Sequence, residues 1–185
     1  MGNSSLVDFI RISPNSMGRG SKVDTIVIHM MSNNQSIEAC AAYFAMRKAK
    51  ASATYVIGSD GRVGLCVDES RRPMTSNSWK VDDKAITIEV ANDTGKPDYH
   101  VSDKAMEKLI LLCADVCKRH GFRLNFTGDM TGNLLMHKWI APGTSCPGPF
   151  LESQFPAIAD AVNKLLTEQG DNNERDQIWK PAHLQ

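Results

Sequence analysis

The segment Val23–His29, VDTIVIH, most constrains the architecture. In an extended chain Val23, Thr25, Val27 and His29 face one way, and Asp24, Ile26 and Ile28 face the other. β-Branched residues therefore line both faces. Such a strand is largely buried on both sides, inside a sheet, with other elements packed above and below it. A second run, AITIEVA at Ala85–Ala91, reads the same way. There Thr87, Glu89 and Ala91 share one face, and Ile86, Ile88 and Val90 share the other. The chain has 185 residues, enough for one domain with a sizeable core around these strands.

The remaining elements follow from periodicity and end signals. Ser36 is placed to N-cap a helix running to about Ala49, with Ile37, Cys40, Ala41 and Phe44 on its apolar face. Ala53–Ile57 and Arg62–Val67 read as strands joined by Gly58-Ser59-Asp60-Gly61, a hairpin signal. Ser102 opens a long helix to about His120, stopped by Gly121, with Met106, Leu109, Ile110, Cys113, Val116 and Cys117 inward. A last helix is expected within 150–168, with Pro156 in its first turn and Ala157, Ile158, Ala161, Val162 and Leu165 facing the core. Strands and helices alternate with at least two crossovers, so the expected fold class is α/β. Residues 1–20 read as irregular chain wrapping the surface, and 68–80 as a long polar loop. The expected division is a folded unit over 1–170 and a polar linker or tail over 171–185.

Composition narrows the function classes. Formal net charge is +0, so nothing points to nucleic acid. No apolar run approaches the roughly 20 residues of a membrane span. The N-terminus MGNSSLVDFIRIS lacks a basic stretch followed by a long apolar one, so no secretory signal is read, and Leu6 does not fit a myristoylation site. Five cysteines without framework spacing suit synthesis in a reducing compartment.

The chemistry gathers in LLMHKWIAPGTSCPGP, residues 134–149. His137 follows its apolar run and Cys146 lies in its Gly/Pro-rich loop, while His29 ends the first strand. Two imidazoles and one thiolate make three ligands for a tetrahedral zinc, with the fourth position left for water, as in a catalytic site. Each residue alone is as readily a core histidine, a surface histidine or a packed thiol. Glu89 is the second informative feature. A carboxylate amid apolar strand residues is either at a solvent-facing edge or has a paired or catalytic task, and burial would raise its pKa. Asn77 and Trp79 either rim a cleft or are ordinary loop residues. Cys40, Cys66, Cys113 and Cys117 read as core packing.

Taken in order, His29 ending its strand, SATYVIGSDGRV, AITIEVAND and MHKWIAPGTSCPG resemble the zinc-dependent N-acetylmuramoyl-L-alanine amidases of the type-2 amidase and peptidoglycan-recognition-protein superfamily. Phage endolysins and clostridial cell-wall amidases are the nearest in look. The resemblance covers about residues 22–168. It implies a central mixed sheet flanked by helices, Zn2+ held by His29, His137 and Cys146, and bacterial peptidoglycan as partner. It implies Glu89 as general base and Thr144 as a residue that helps stabilise the oxyanion. Tyr55, Asn77 and Trp79 are the expected substrate contacts. The sequence departs from the family where Ala53 stands eight residues before Gly61, a place held by tyrosine in phage lysozyme-like and recognition-protein amidases. Tyr55, two residues on, is expected to face the same side as Ala53. The Ser52-Ala53 pair is similar instead to the muropeptide-amidase branch, which leans on the glutamate.

The implied reaction is hydrolysis of the amide between the lactyl group of N-acetylmuramic acid and L-alanine. The enzyme would be made in the cytoplasm and reach the wall by lysis or through a holin. Endolysins often carry a separate wall-binding domain after such a tail, so the chain reads as a catalytic fragment or a minimal enzyme. Three rivals stand beside this: a wall-binding module without catalysis, a cysteine peptidase using Cys146 and His137, and a structural zinc domain. The sequence leaves peptidoglycan chemotype and oligomeric state open.

Overall fold

The run ending at His29 forms strand Thr25–Met30, and every residue of it is buried. The computed structural model describes residues 2–174. In chain order its first elements are β1 (Phe9–Ile10), β2 (Ser16–Gly18), β3 (Thr25–Met30), α1 (Ile37–Phe44), β4 (Tyr55–Ile57) and β5 (Val63–Leu65). They are followed by β6 (Arg71–Pro73), α2 (Trp79–Asp82), β7 (Ala85–Val90) and α3 (Asp103–His120). The last are β8 (Leu134–Met136), α4 (His137–Ile140) and α5 (Pro149–Glu174). A six-stranded mixed sheet runs β1-β5-β4-β7-β3-β8, and β2 pairs with β6 in a small second sheet. The β4–β5 hairpin is antiparallel and every other pairing in the large sheet is parallel. Its turn closes as expected: Gly61 donates to the Gly58 carbonyl at 2.9 Å and adopts φ +82°, which suits glycine.

Alternation along the strands divides the core. Ile26, Ile28, Ile86, Ile88 and Ile57 pack with Leu109 and Leu112 of α3 and Phe155 of α5. Val56 and Cys66 on the other face pack with Ile37, Cys40, Ala41 and Phe44 of α1. Val27 and Leu135, on that same face, pack with Val81 of α2. Both α1 and α3 start at the expected caps, with Ser36 Oγ accepting from Ala39 N–H and Ser102 Oγ from Ala105 N–H. Gly121 ends α3 in the left-handed conformation. The central pair matters most for function. β3 and β7 run parallel with His29 opposite Glu89, so both side chains leave one face near the carboxyl ends of adjacent strands. That is where open α/β sheets hold ligands. No helix among the described residues is long and apolar enough to cross a membrane.

Several expectations are corrected. The N-terminal segment carries two short strands instead of being irregular throughout. Asp8, Arg11 and Ser13 donate to carbonyls of Val63, Leu65 and Cys66, so it covers the outer edge of β5. The 68–80 loop holds β6 and opens α2. Helix α1 stops at Phe44 and a short 3-10 turn, Arg47–Ala49, follows. The final helix starts at Pro149, which takes the first-turn place expected of Pro156, and it extends to Glu174. Pro156 lies inside the helix, and the buried stripe shifts to Leu151, Phe155, Ile158, Ala159 and Val162, with Ala157 exposed. A bend at Thr54 breaks the strand alternation. Ala53 consequently packs on the α1 side and Tyr55 on the α3 side, not together. The part of the expected tail over 175–185 lies outside the described residues.

Candidate metal centre

His29 is the penultimate residue of β3 and is 1% exposed. β8 lies beside β3, with Met136 opposite Ile28, so the next residue, His137, enters beside His29. The two ring centroids are 4.6 Å apart, tilted by 55°. Cys146 reaches them from the loop before α5. Lys138 N–H donates to the Cys146 carbonyl at 2.9 Å, which ties this loop to α4. Cys146 N–H donates to Thr144 Oγ1 at 3.1 Å, and Met30 N–H donates to Cys146 Sγ at 3.3 Å. Gly148, at φ +85°, lets the loop close down, since a Cβ there would stand 2.6 Å from Met30 Sδ.

The donor atoms of His29, His137 and Cys146 all lie within 4.8 Å of one another. Nitrogen and sulfur donors at about 2.0 and 2.3 Å on a tetrahedral zinc stand roughly 3.5 Å apart. His29 Nδ1 and Cys146 Sγ are 3.7 Å apart. His137 Nε2 is buried without a hydrogen-bond partner, the one such side-chain atom among the described residues. Orphaned buried nitrogens are rare in folded proteins. Two imidazoles and a thiol converging on one point, one of the ring nitrogens without a partner, fit a zinc-type ion.

Protonation at the site follows from burial. Desolvation holds His29 well below the usual imidazole range, and the neighbouring His137 adds to this. Desolvation also lowers His137, against a raising effect of Asp82. Both rings are thus neutral near pH 7, with a lone pair to offer. Burial pushes the Cys146 thiol up to about 12, helped by Glu89 and opposed by the Met30 N–H. A metal taken up here displaces that proton. Glu89 is half-buried on the His29 face, and desolvation pushes it up to about 8.

The structure brings His29, His137 and Cys146 together, with Thr144 in the ligand loop and Glu89 opposite His29 in the sheet. Asn77 and Trp79 line a cleft of about 280 Å³ with Lys50, Arg72, Met74 and Asp82. Trp79 is 63% exposed there, with the Arg72 guanidinium 5.8 Å from its ring centre. Tyr55 does not join them. Its side chain is fully buried on the α3 side, where its hydroxyl donates to Glu69 and accepts from Ser4 N–H, so the expectation of a substrate contact fails. Two buried residues beside the cluster escaped the sequence reading. Ser76 Oγ is 3.4 Å from His29 Nε2, and Asp82 accepts from the N–H groups of Thr75 and Ser76. A serine and an aspartate in a polar stretch carry no signal of such a role.

A family model described as N-acetylmuramoyl-L-alanine amidase matches residues 19–149. No curated protein matches the chain. Several solved structures share the fold. Staphylococcus aureus hydrolase AmiA, solved in complex with its ligand, aligns with a TM-score of 0.70 at 14% identity over 91% of this chain and 87% of that one. AmpD aligns at 0.64 and 19% identity over 84% and 96%. The N-acetylmuramoyl-L-alanine amidase LysC from Clostridium intestinale URNW aligns at 0.60 and 18% over 82% and 97%.

Proposed function

The chain belongs to the N-acetylmuramoyl-L-alanine amidase family, and we propose that it hydrolyses the bond between the muramoyl lactyl carbonyl and L-alanine at a zinc ion held by His29, His137 and Cys146. The observation that carries this reading is the clustering of those three donor groups, with His137 Nε2 buried and unpartnered. The working partner is bacterial peptidoglycan, as the names of the related amidases suggest. The biological setting that fits is wall lysis by an endolysin-type enzyme that acts outside the cytoplasm in which it is made. The catalytic unit is residues 1–170, and helix α5 carries the chain past that boundary to Glu174.

A bound zinc supplies Lewis acidity, lowering the pKa of water to roughly 7 and polarising the scissile carbonyl. Glu89 accepts a proton from the attacking water and returns it to the departing L-alanine nitrogen. Its raised pKa suits both halves of that task. The Thr144 hydroxyl oxygen is engaged by Cys146 N–H, which leaves its O–H to donate toward the carbonyl oxygen as charge develops. Trp79 and Asn77 offer an aromatic face and an amide in the adjoining cleft for the saccharide or the stem peptide. A nucleophilic role for Cys146 is disfavoured, because burial pushes its thiol up to about 12 where a peptidase needs a thiolate.

The test is metal analysis of purified protein alongside Cys146→Ser. The reading expects near one zinc per chain and loss of most of it in the variant. A serine variant with full zinc content would remove Cys146 from the ligand set.

A further inference from the structure

Ser76 and Asp82 are both nearly inaccessible, at 0% and 3% exposure, and Ser76 touches His29 of the cluster. Asp82 is the last residue of α2, and its carboxylate turns back over the segment before that helix. Oδ2 accepts from Thr75 N–H at 3.0 Å, and both oxygens accept from Ser76 N–H at 3.2 and 3.1 Å. These bonds hold Ser76 so that its Oγ meets His29 Nε2. One carboxylate is thus tied to the first histidine through a serine.

We propose that Ser76 and Asp82 are positioning residues of the metal centre. Ser76 Oγ accepts a hydrogen bond from the Nε2–H of His29, which keeps that proton on Nε2 and commits Nδ1, the nitrogen nearest Cys146, to the metal. Asp82 clamps Ser76 and supplies a negative charge beside the site. The inference rests on the zinc reading of the cluster. Its physical basis is charge and tautomer. A dication with one thiolate leaves a net +1 in a buried place, and a fixed carboxylate neutralises it without occupying a coordination position. A histidine ligand with its remote N–H hydrogen-bonded is locked in tautomer and ring orientation, an effect worth about 10–100-fold in metal affinity.

Zinc dissociation constants by chelator competition on the full chain, for the unaltered protein, Ser76→Ala and Asp82→Asn, test this. Long-range proton–nitrogen spectra of the zinc-loaded protein report which His29 nitrogen keeps its proton. Both variants are expected to bind zinc about tenfold more weakly or worse, and His29 is expected to be protonated at Nε2. Affinities indistinguishable from the unaltered protein, or a proton on Nδ1, overturn the inference and leave the zinc reading standing. If the unaltered protein binds no zinc, both fall. Should Asp82→Asn not fold, Ser76→Ala decides, because it keeps the backbone N–H that Asp82 holds.

Discussion

Glu69→Gln is expected to cost about 3 kcal/mol of folding stability at pH 7, toward the low end of the ~3–5 kcal/mol seen when a buried pair is broken. The Glu69 carboxylate is 3% exposed and gathers charged and neutral donors from three residues. Arg119 donates to both its oxygens at 2.7 Å, His120 Nε2 lies 2.7 Å from Oε2, and the Tyr55 hydroxyl completes the set. Glutamine keeps one acceptor oxygen and aims an NH2 at donors. Arg119 retains Asp115 at 2.9 Å, which places the cost at the low end of the range. At roughly 2–4 °C per kcal/mol for a chain of this size, the melting point falls by about 6–12 °C. The pH dependence has a defined sign. Burial alone would raise the Glu69 pKa, but hydrogen bonds from Arg119, Tyr55 and His120 outweigh it and hold the group below its usual value. Its contribution is therefore full above the unfolded pKa of about 4.3 and is lost as pH falls through the lower folded value. Urea unfolding followed by circular dichroism at pH 7 and down the acid limb measures both effects. A variant within about 1 kcal/mol of the parent at pH 7, where broken buried pairs cost more, or one with an unchanged acid limb, would refute the reasoning.

Glu89→Ala is expected to keep fold and zinc content and to lose about 10²–10⁴-fold in turnover, measured on purified walls. Because the base must be deprotonated, activity should climb with pH through a value at or below the raised pKa of about 8, since a nearby dication lowers it. A pH–rate profile of the variant that keeps the same acid limb would assign that limb elsewhere. Arg19→Met should destabilise by about 2–4 kcal/mol in thermal unfolding, because one guanidinium donates to carbonyls of Glu69, Arg71, Asp82, Asp83 and Ala85 and pins α2 to the sheets. Full stability with intact zinc uptake would show that these carbonyls find other donors. In metal-free protein the Cys146 thiol should resist iodoacetamide near pH 7, given its raised pKa. Mass spectrometry showing rapid alkylation of Cys146 would contradict the buried, protonated state.

Features governed by local periodicity were legible from the chain alone. β3 and β7 announce themselves by apolar residues on both faces, and Ser36 and Ser102 mark helix starts through their side-chain oxygens and Gly121 a helix end through its left-handed backbone. The clustering of His29, His137 and Cys146 was legible because each stands at a recognisable end or loop of an element. What escaped depends on long-range bonds that leave no pattern. β1 and β2 are two and three residues long and exist because neighbouring edges offer partners. Tyr55 was misplaced because a single bend at Thr54 reverses which face it takes. Ser76 and Asp82 sit in a segment whose polar composition suggested solvent, yet both are buried, and distant Arg19 donates to the Asp82 carbonyl.

Digestion of a defined muramoyl peptide, with products identified by mass spectrometry with and without a chelator, bears most directly on the central claim. The account predicts free muramic-acid lactyl carboxylate and a peptide with a new L-alanine amino terminus, both abolished by the chelator and restored by zinc. Cleavage at any other bond, or unchanged release of L-alanine ends in metal-free protein, would contradict it.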